Sequence, residues 1–460
     1  MGRKAIYTNV DKITADNIVE VLDKAMSEHN VNSSEINFLY EYYKGKQNIQ
    51  AKTKEVRQDI NNIITINRAY EIVSFKKGYI FGEPVQYISS GEEKDISDKI
   101  KKLNDYMDDC DKSELDSKLA EWFLIGGVAY RMCLSRKVED EDEAPFRIRT
   151  LDPRKTFIVR YNNLDEEVAM GVTYTEDSLG AKTSYIYTKD KYYVVDSTKG
   201  LISVQDHYLG RVPIIEYVHN EARMGAFEPV LPILDAINSI QSNRLDDLEQ
   251  HVNSILAIFG AEMTEETYKQ VQEWKMLVMP DGSEAKNISS PLQQTDIQSF
   301  VDDLYNMALS ICGVPRVENN TGGGDNGVAV HLRSGWEQSE TQAKAVEKTF
   351  KKSEKDLLRL VFKILKVKSD VELKLSNINI KFARRYTDNI LTKAQMLMNL
   401  LDVGIEPSIA IATCGIWNDP MDVYIQSKKY LAKWEIEEEE EVEDVLQTPR
   451  QEIDEIKETN

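Results

Sequence analysis

The sequence predicts an α+β protein in which helical regions flank a block of antiparallel β-structure and a pair of helices projects from the rest. Three observations lead there. Apolar residues recur at helical spacing through most of the first 130 residues and again beyond residue 230. Between Tyr130 and Val218 the period falls to two, with β-branched and aromatic residues set between turn signals. Two further helical stripes, 233–259 and 296–311, bracket a short turn-rich insert.

Within the first region, Asn32 and Glu35 fit a capping pair ahead of Ile36, Phe38 and Leu39. Residues 67–81 read as a helix that stops at Gly82-Glu-Pro84, where proline lacks a donor and restricts the residue before it. Val85-Gln-Tyr-Ile88 follows as a strand. Ile96, Ile100, Leu103 and Met107 mark an amphipathic helix, and 113–129 another. Phe146-Arg-Ile-Arg-Thr, Thr156-Phe-Ile-Val-Arg-Tyr, Val172-Thr-Tyr, Ser184-Tyr-Ile-Tyr and Tyr192-Tyr-Val-Val are the expected strands, with the acidic run 139–143 as a hairpin tip facing water.

Pro229 and Pro232 introduce the first projecting helix, whose stripe is Ile233, Ile237, Ile240, Leu248, Val252, Ile255 and Phe259. The insert turns at Pro280-Asp-Gly282, with 276–279 and 284–288 as a hairpin around it. The returning helix, 296–311, carries Ile297, Phe300, Val301, Leu304, Met307, Ala308 and Ile311 on one face. Next comes Thr321-Gly-Gly-Gly-Asp-Asn-Gly327, three glycines in a row that carry no side chain to pack. A long helix is expected over 328–365, striped by Ala343, Val346, Phe350, Leu357, Val361 and Ile364. Residues 371–382 read as one strand or a strand pair. Helices 389–401, 408–414 and 421–433 follow, broken by Gly404, Pro407 and Pro420.

At 460 residues the chain has room for two or three domains, and 29% charged residues mark a soluble protein. Its apolar runs, such as 122–130 and 255–261, fall far short of the roughly 20 residues that span a bilayer, and the first residues lack the apolar core of a signal peptide. No membrane role is expected. Cys110, Cys133, Cys312 and Cys414 lie far apart, which suggests reduced, buried thiols in a cytosolic protein. Of the net charge of −21, −10 falls in residues 435–460, where twelve acids face only Arg450 and Lys457. That tail reads as a solvated, disordered end or an acidic contact arm. Neither it nor the rest is basic enough to grip nucleic acid by its phosphates.

Signals for catalysis are poor. The glycine loop lacks the lysine and spacing of a phosphate-binding loop, and no dinucleotide fingerprint is present. Asp281 and Glu284, with Lys286, superficially match a metal-dependent nuclease, but both acids sit on one turn where they cannot converge on a metal. Five scattered histidines form no metal-binding spacing. Neither metal nor cofactor is expected. The pairs Asp246-Asp247 and Asp302-Asp303 read as charged helix faces. The residues by themselves lead to a mixed α and β protein with a projecting helical pair; a nuclease, or a helical scaffold pairing as a coiled coil, are the other readings.

The order of elements resembles the portal proteins of tailed bacteriophages, in the long-tailed branch. The residues that carry it are Asn67-Arg-Ala-Tyr-Glu-Ile-Val73, Gly78-Tyr-Ile-Phe-Gly-Glu-Pro-Val85, Asp152-Pro153, Gly210-Arg-Val-Pro-Ile-Ile-Glu-Tyr217, Cys312-Gly-Val-Pro315 and Asn326-Gly-Val-Ala329, in that order across roughly residues 60–430. The family usually has Ser before Gly-Val-Ala; Asn326 is also a small polar helix-start residue. The resemblance implies a portal-like fold. It divides the chain into an α+β wing (1–232 and 329–386), a two-helix stem (233–259 and 292–313), a small α/β clip (260–291), a tunnel loop (314–328) and a helical crown (387–434), ahead of the acidic tail (435–460).

It further implies a non-enzymatic ring, typically of twelve subunits, at one vertex of the virion capsid and assembled in the host cytoplasm. Double-stranded DNA would pass through it during packaging and ejection. Terminase large subunit, head-completion adaptor, capsid and scaffolding proteins would be its partners. Asn319, Asn320, Thr321, Gly322, Gly323, Gly324, Asp325 and Asn326 would form the channel loop. Asp246, Asp247, Asp302 and Asp303 are candidates to line or rim the channel, and Trp274, Met276, Asp281 and Lys286 to meet partners at the clip.

Overall fold

The computed structural model describes residues 2–55, 58–90, 94–140, 143–252, 255–259, 269, 284–288, 294–316, 335–369, 371–384, 390–417 and 420–431. After the short strand β1 (Ile6–Thr8), α1 (Ile18–Tyr43) runs unbroken, so the helix start expected at Ile36 is corrected. Asn32 is mid-helix and buried; its amide accepts from the Lys4 N–H at 2.9 Å and donates to the Lys4 carbonyl at 2.8 Å. It satisfies both backbone groups of Lys4 as a neighbouring strand would, and its supposed partner Glu35 instead meets Arg3 at 3.0 Å.

Asn67 caps α2 (Arg68–Phe81) by accepting from the Tyr70 N–H at 3.2 Å. Then come β2 (Gln86–Ser89), α3 (Lys94–Asp109) and α4 (Lys112–Gly126). The last helix ends three residues short of the expected 129, because Gly127 turns at φ +80° into β3 (Val128–Ser135). The remaining strands of the region are β4 (Phe146–Leu151), β5 (Thr156–Tyr161), β6 (Val168–Glu176), β7 (Lys182–Tyr187), β8 (Lys191–Asp196), β9 (Gly200–Asp206) and β10 (Ile214–Val218).

They form a six-stranded sheet in the order β1-β5-β6-β7-β8-β9 and a three-stranded sheet in the order β10-β3-β4. All neighbours are antiparallel except β1, which lies parallel to β5. Ile18, Val21, Leu22 and Ala25 of α1 bury against Phe157, Val172, Ile186 and Tyr193 of the larger sheet.

Helix α5 (Leu231–Val252) stops short of the expected 259. Ile255–Phe259 is strand β11, antiparallel to β12 (Glu284–Ile288). Ile255 and Phe259 fall in phase with the helical stripe by chance, and the run Ile255-Leu-Ala-Ile-Phe259 carries the residue types that favour a strand. Strand 284–288 pairs with 255–259, and its expected hairpin partner 276–279 lies outside the described residues.

The chain returns through α6 (Gln294–Cys312) and, past the loop region, enters α7 (Trp336–Lys368). Of the stretch expected as strand over 371–382, only Ile378–Lys381, β13, is strand. It pairs antiparallel with β2 and follows a tight turn at Leu375–Asn377. Helices α8 (Ile390–Asp402), α9 (Pro407–Cys414) and α10 (Pro420–Leu431) close the described chain, with Pro407 and Pro420 as first residues of their helices rather than breaks. The four cysteines are free thiols. Among the described residues no helix is long and apolar enough to cross a membrane.

Ala343, Val346, Phe350, Leu357, Val361 and Ile364 of α7 all enter the main core. In their midst lies Glu354, fully buried. It accepts from Tyr217 Oη at 2.7 Å and from Tyr87 Oη, and pairs with Lys112 at 3.0 Å and Arg131 at 3.6 Å. Asp116 lies 2.6 Å from both Lys112 and Arg131, so two acids and two bases cancel inside the core. Burial alone would raise the Glu354 pKa, but Lys112, Arg131 and the two tyrosines outweigh it and hold the group ionised. Glu354→Ala is expected to cost about 3–5 kcal/mol in urea unfolding, because it leaves two buried cations with Asp116 alone to balance them and two buried tyrosine hydroxyls without their acceptor, whereas Lys355→Ala on the exposed side of α7 should stay within about 0.5 kcal/mol.

Candidate functional site

Helix α5 is held by a ladder of polar side chains along one face. Asn238, Ser242 and Asp246 sit one turn apart on one face and are fully buried. Beside them runs a non-helical strap, residues 60–66. Its Ile66 N–H donates to Asn238 Oδ1 at 2.8 Å, its Ile64 N–H to Ser242 Oγ at 3.0 Å and its Asn62 N–H to Asp246 Oδ1 at 2.7 Å. Two residues of extended chain advance about 6.6 Å, and four residues of helix about 6 Å. The two repeats match, so the helix's side chains stand in for the carbonyls of a partner strand.

At the end of the ladder, Lys52 and Lys54 reach Asp246 Oδ2 at 2.6 and 2.5 Å. Burial pushes the Asp246 pKa up, but the two lysines and the two Asn62 donors more than offset it, and the carboxyl titrates well below its ordinary range. Asp246 thus turns inward to its own chain, which corrects its expected place on the channel. Its neighbour Asp247, and Asp302 and Asp303 on α6, are exposed; Asp302 accepts from Gln298 Nε2 at 2.8 Å. The spacing Asn238–Ser242–Asp246 was the available signal: three polar residues four apart on a helix otherwise read for its apolar stripe.

Helices α5 and α6 lie antiparallel. Arg244 donates to Gln298 at 2.6 Å and to Gln294 at one end, while the Cys312 thiol donates to the Ala226 carbonyl at 3.4 Å at the other. Tyr305 of α6 donates to Glu71 of α2 at 2.5 Å, under the Arg68 guanidinium, 3.9 Å from the ring centre.

The last turn of α6 leaves carbonyls with no partner in the helix, and side chains of α7 supply the donors. Gln338 Nε2 reaches the Ser310 carbonyl at 2.8 Å, Ser339 Oγ the Gly313 carbonyl at 2.8 Å and Gln342 Nε2 the Ile311 carbonyl at 3.4 Å. Lys76 Nζ, buried, donates to the same Gln342 at 2.8 Å. Gly313 has φ +63°, and a Cβ there would lie 2.4 Å from the Gln342 amide, so only glycine fits both the turn and the neighbour. A Cβ on Gly335 would lie 3.9 Å from Pro315 Cα. Pro315 and Gly335, on either side of residues outside the described set, therefore lie side by side on two anchors fastened to each other.

The loop residues Asn319, Asn320, Thr321, Gly322, Gly323, Gly324, Asp325 and Asn326 lie outside the described residues, as do Trp274, Met276 and Asp281. Lys286 belongs to β12, opposite Ala257 of β11, and Glu284 is opposite Phe259. Among the described residues, no group of three His, Cys, Asp or Glu side chains could hold a metal ion.

The ladder makes Asp246 a stability residue with a defined pH signature. Asp246→Ala should cost about 3 kcal/mol near neutral pH, since it strands the Asn62 donors and two cations. The folded-state pKa is lowered, so the carboxylate's contribution is complete above the ordinary value of 3.8 and fades as pH falls below it. Urea titrations of both proteins from pH 7 to pH 3 should show the gap between them narrowing at the acid end.

No curated protein matches the chain. A family model does, described as phage portal protein, SPP1 Gp6-like, and it spans residues 22–444. It takes in the strap, the ladder on α5, the antiparallel pair, both loop anchors and α7. The chain belongs to the phage portal protein family of the SPP1 Gp6-like type, and with it to the head-to-tail connectors that serve bacteriophage DNA packaging.

Proposed function

We propose that copies of this chain close into a ring, twelve in the pattern common to portals, at one vertex of the capsid, and that genomic DNA passes through the central hole. In this reading α5 and α6 form the stem, residues 260–291 the clip that meets the terminase large subunit and later the head-completion adaptor, and 319–326 a loop that projects into the hole. Capsid and scaffolding proteins would be the other partners, assembly would take place in the host cytoplasm, and the chain would carry out no chemistry of its own.

The observation that carries this is the double anchor of the loop: Pro315 and Gly335 are adjacent, and α6 is fastened to α7 there by Gln338, Ser339 and Gln342. An excursion that starts and ends at one clamped point can move without disturbing the body. A triple-glycine tip suits contact with a sliding polyanion, since it presents neither charge nor bulk. The charge balance points the same way. A lysine-rich wall would hold phosphates and stall DNA. The exposed acids Asp247, Asp302 and Asp303, on a chain of net charge −21, would repel the duplex and keep it centred over roughly 8 Å at physiological salt.

Deleting residues 322–326 tests the loop's role. The variant should assemble as the parent does, while packaging or retention of DNA falls by tenfold or more; packaging at the parent level would remove the loop from the mechanism.

A further inference from the structure

The apolar sector of α6 is wider than its own chain covers. Val301, Ala308 and Cys312 are buried against the body, yet Phe300, Met307 and Ile311 on the same helix remain 54%, 47% and 52% exposed, with Leu304 half-buried among them. Spacings of four, three and four place these side chains in one stripe beside the buried face. The stripe leaves on the order of 300 Å² of apolar surface in water, at the scale of the largest patch on an ordinary monomer.

We propose that this stripe seats on α5 of the neighbouring copy in the ring, against Pro232, Ala236 and Ser239. The proposal rests on the ring reading above and specifies one contact of that ring. Two arguments select the occupant. The first is size: a stable pair buries about 800 Å² on each partner, and a coiled-coil seam needs several heptads. A stripe that spans residues 300–311 is too short and too small to hold an isolated dimer of this helix, but suffices as one patch of a larger contact between neighbours.

The second argument is level. A closed ring has no rise along its axis, so surfaces at equal height meet. Arg244 is level with Gln294 and Gln298, and Ala226 with Cys312. Interpolation along the two antiparallel helices sets Ser239 level with Phe300, Ala236 with Leu304 and Pro232 with Met307. These three are small, lie on the solvent face of α5 beside the ladder's edge, and are exposed except for the half-buried Ala236. A row of large apolar side chains thus faces, across the gap to the next copy, a row with room for them. The two rows differ, so the contact is head-to-tail and propagates around a ring.

Cross-linking in the full-length protein tests this. Ser239→Cys combined with Phe300→Cys, mildly oxidised, should give a ladder of covalent multimers reaching ring size on non-reducing gels. The parent, either single variant, and Ser239→Cys combined with Asp302→Cys on the other flank of α6 should give none. Rings seen by electron microscopy without a 239–300 ladder would overturn the contact and leave the ring reading intact. Dimers from Phe300→Cys alone would mean the stripe pairs with itself and would also overturn it. Absence of rings from the parent protein would remove the ring reading, and this contact with it.

Discussion

Glu354 fixes the position of the longest helix among the described residues by satisfying charges from three directions at once. Lys112 and Asp116 come from α4, Arg131 from β3, and the two tyrosines from β2 and β10. Apolar packing alone would let α7 slide along its stripe at modest cost, whereas a slide here would break ion pairs in a medium that cannot rehydrate them. The rest of the molecule is registered to that helix. Its first turns clamp the end of α6 through Ser339 and Gln342, and Glu340 and Glu347 hold Arg384 near the approach to the C-terminal helices. One beam therefore connects the loop anchor, the sheet-bearing body and Arg384.

The α5–α6 pair is registered to the same body by a different device. Side chains on α5 take up the backbone donors of the strap as a β-strand would, and Lys52 and Lys54 close the end of that zipper on Asp246. Tyr305 and Arg68 secure α6 against α2. A helical pair held this way is bound to its own chain along one side and exposed along Phe300, Met307 and Ile311. It remains open where a second copy would have to dock.

Much of this was legible in residue periodicity. The stripe of α6, the stop of α2, the alternation of the sheets and the burial of the α7 stripe all follow from local spacing and local chemistry. What was not legible depended on partners far away in sequence. Asn32 looks like a cap because caps and strand-mimicking amides use the same side chain; only the approach of Lys4 decides between them. Residues 255–259 satisfy a helical period and a strand composition together, and pairing with 284–288 settles the matter. Asp246 and Asp247 are adjacent acids with opposite fates, one bound by the strap and one exposed, which no single-helix pattern distinguishes. The identity of the family came from the order of short motifs, none of which is specific alone, and the family model spans the same region.

The central claim is that many copies enclose a hole and offer their glycine loops to it. Single-particle electron microscopy of the purified full-length protein tests that most directly. The account predicts closed rings with density for residues 319–326 inside the lumen. A monomer at high concentration, an open filament, or those residues on the outer circumference would contradict it.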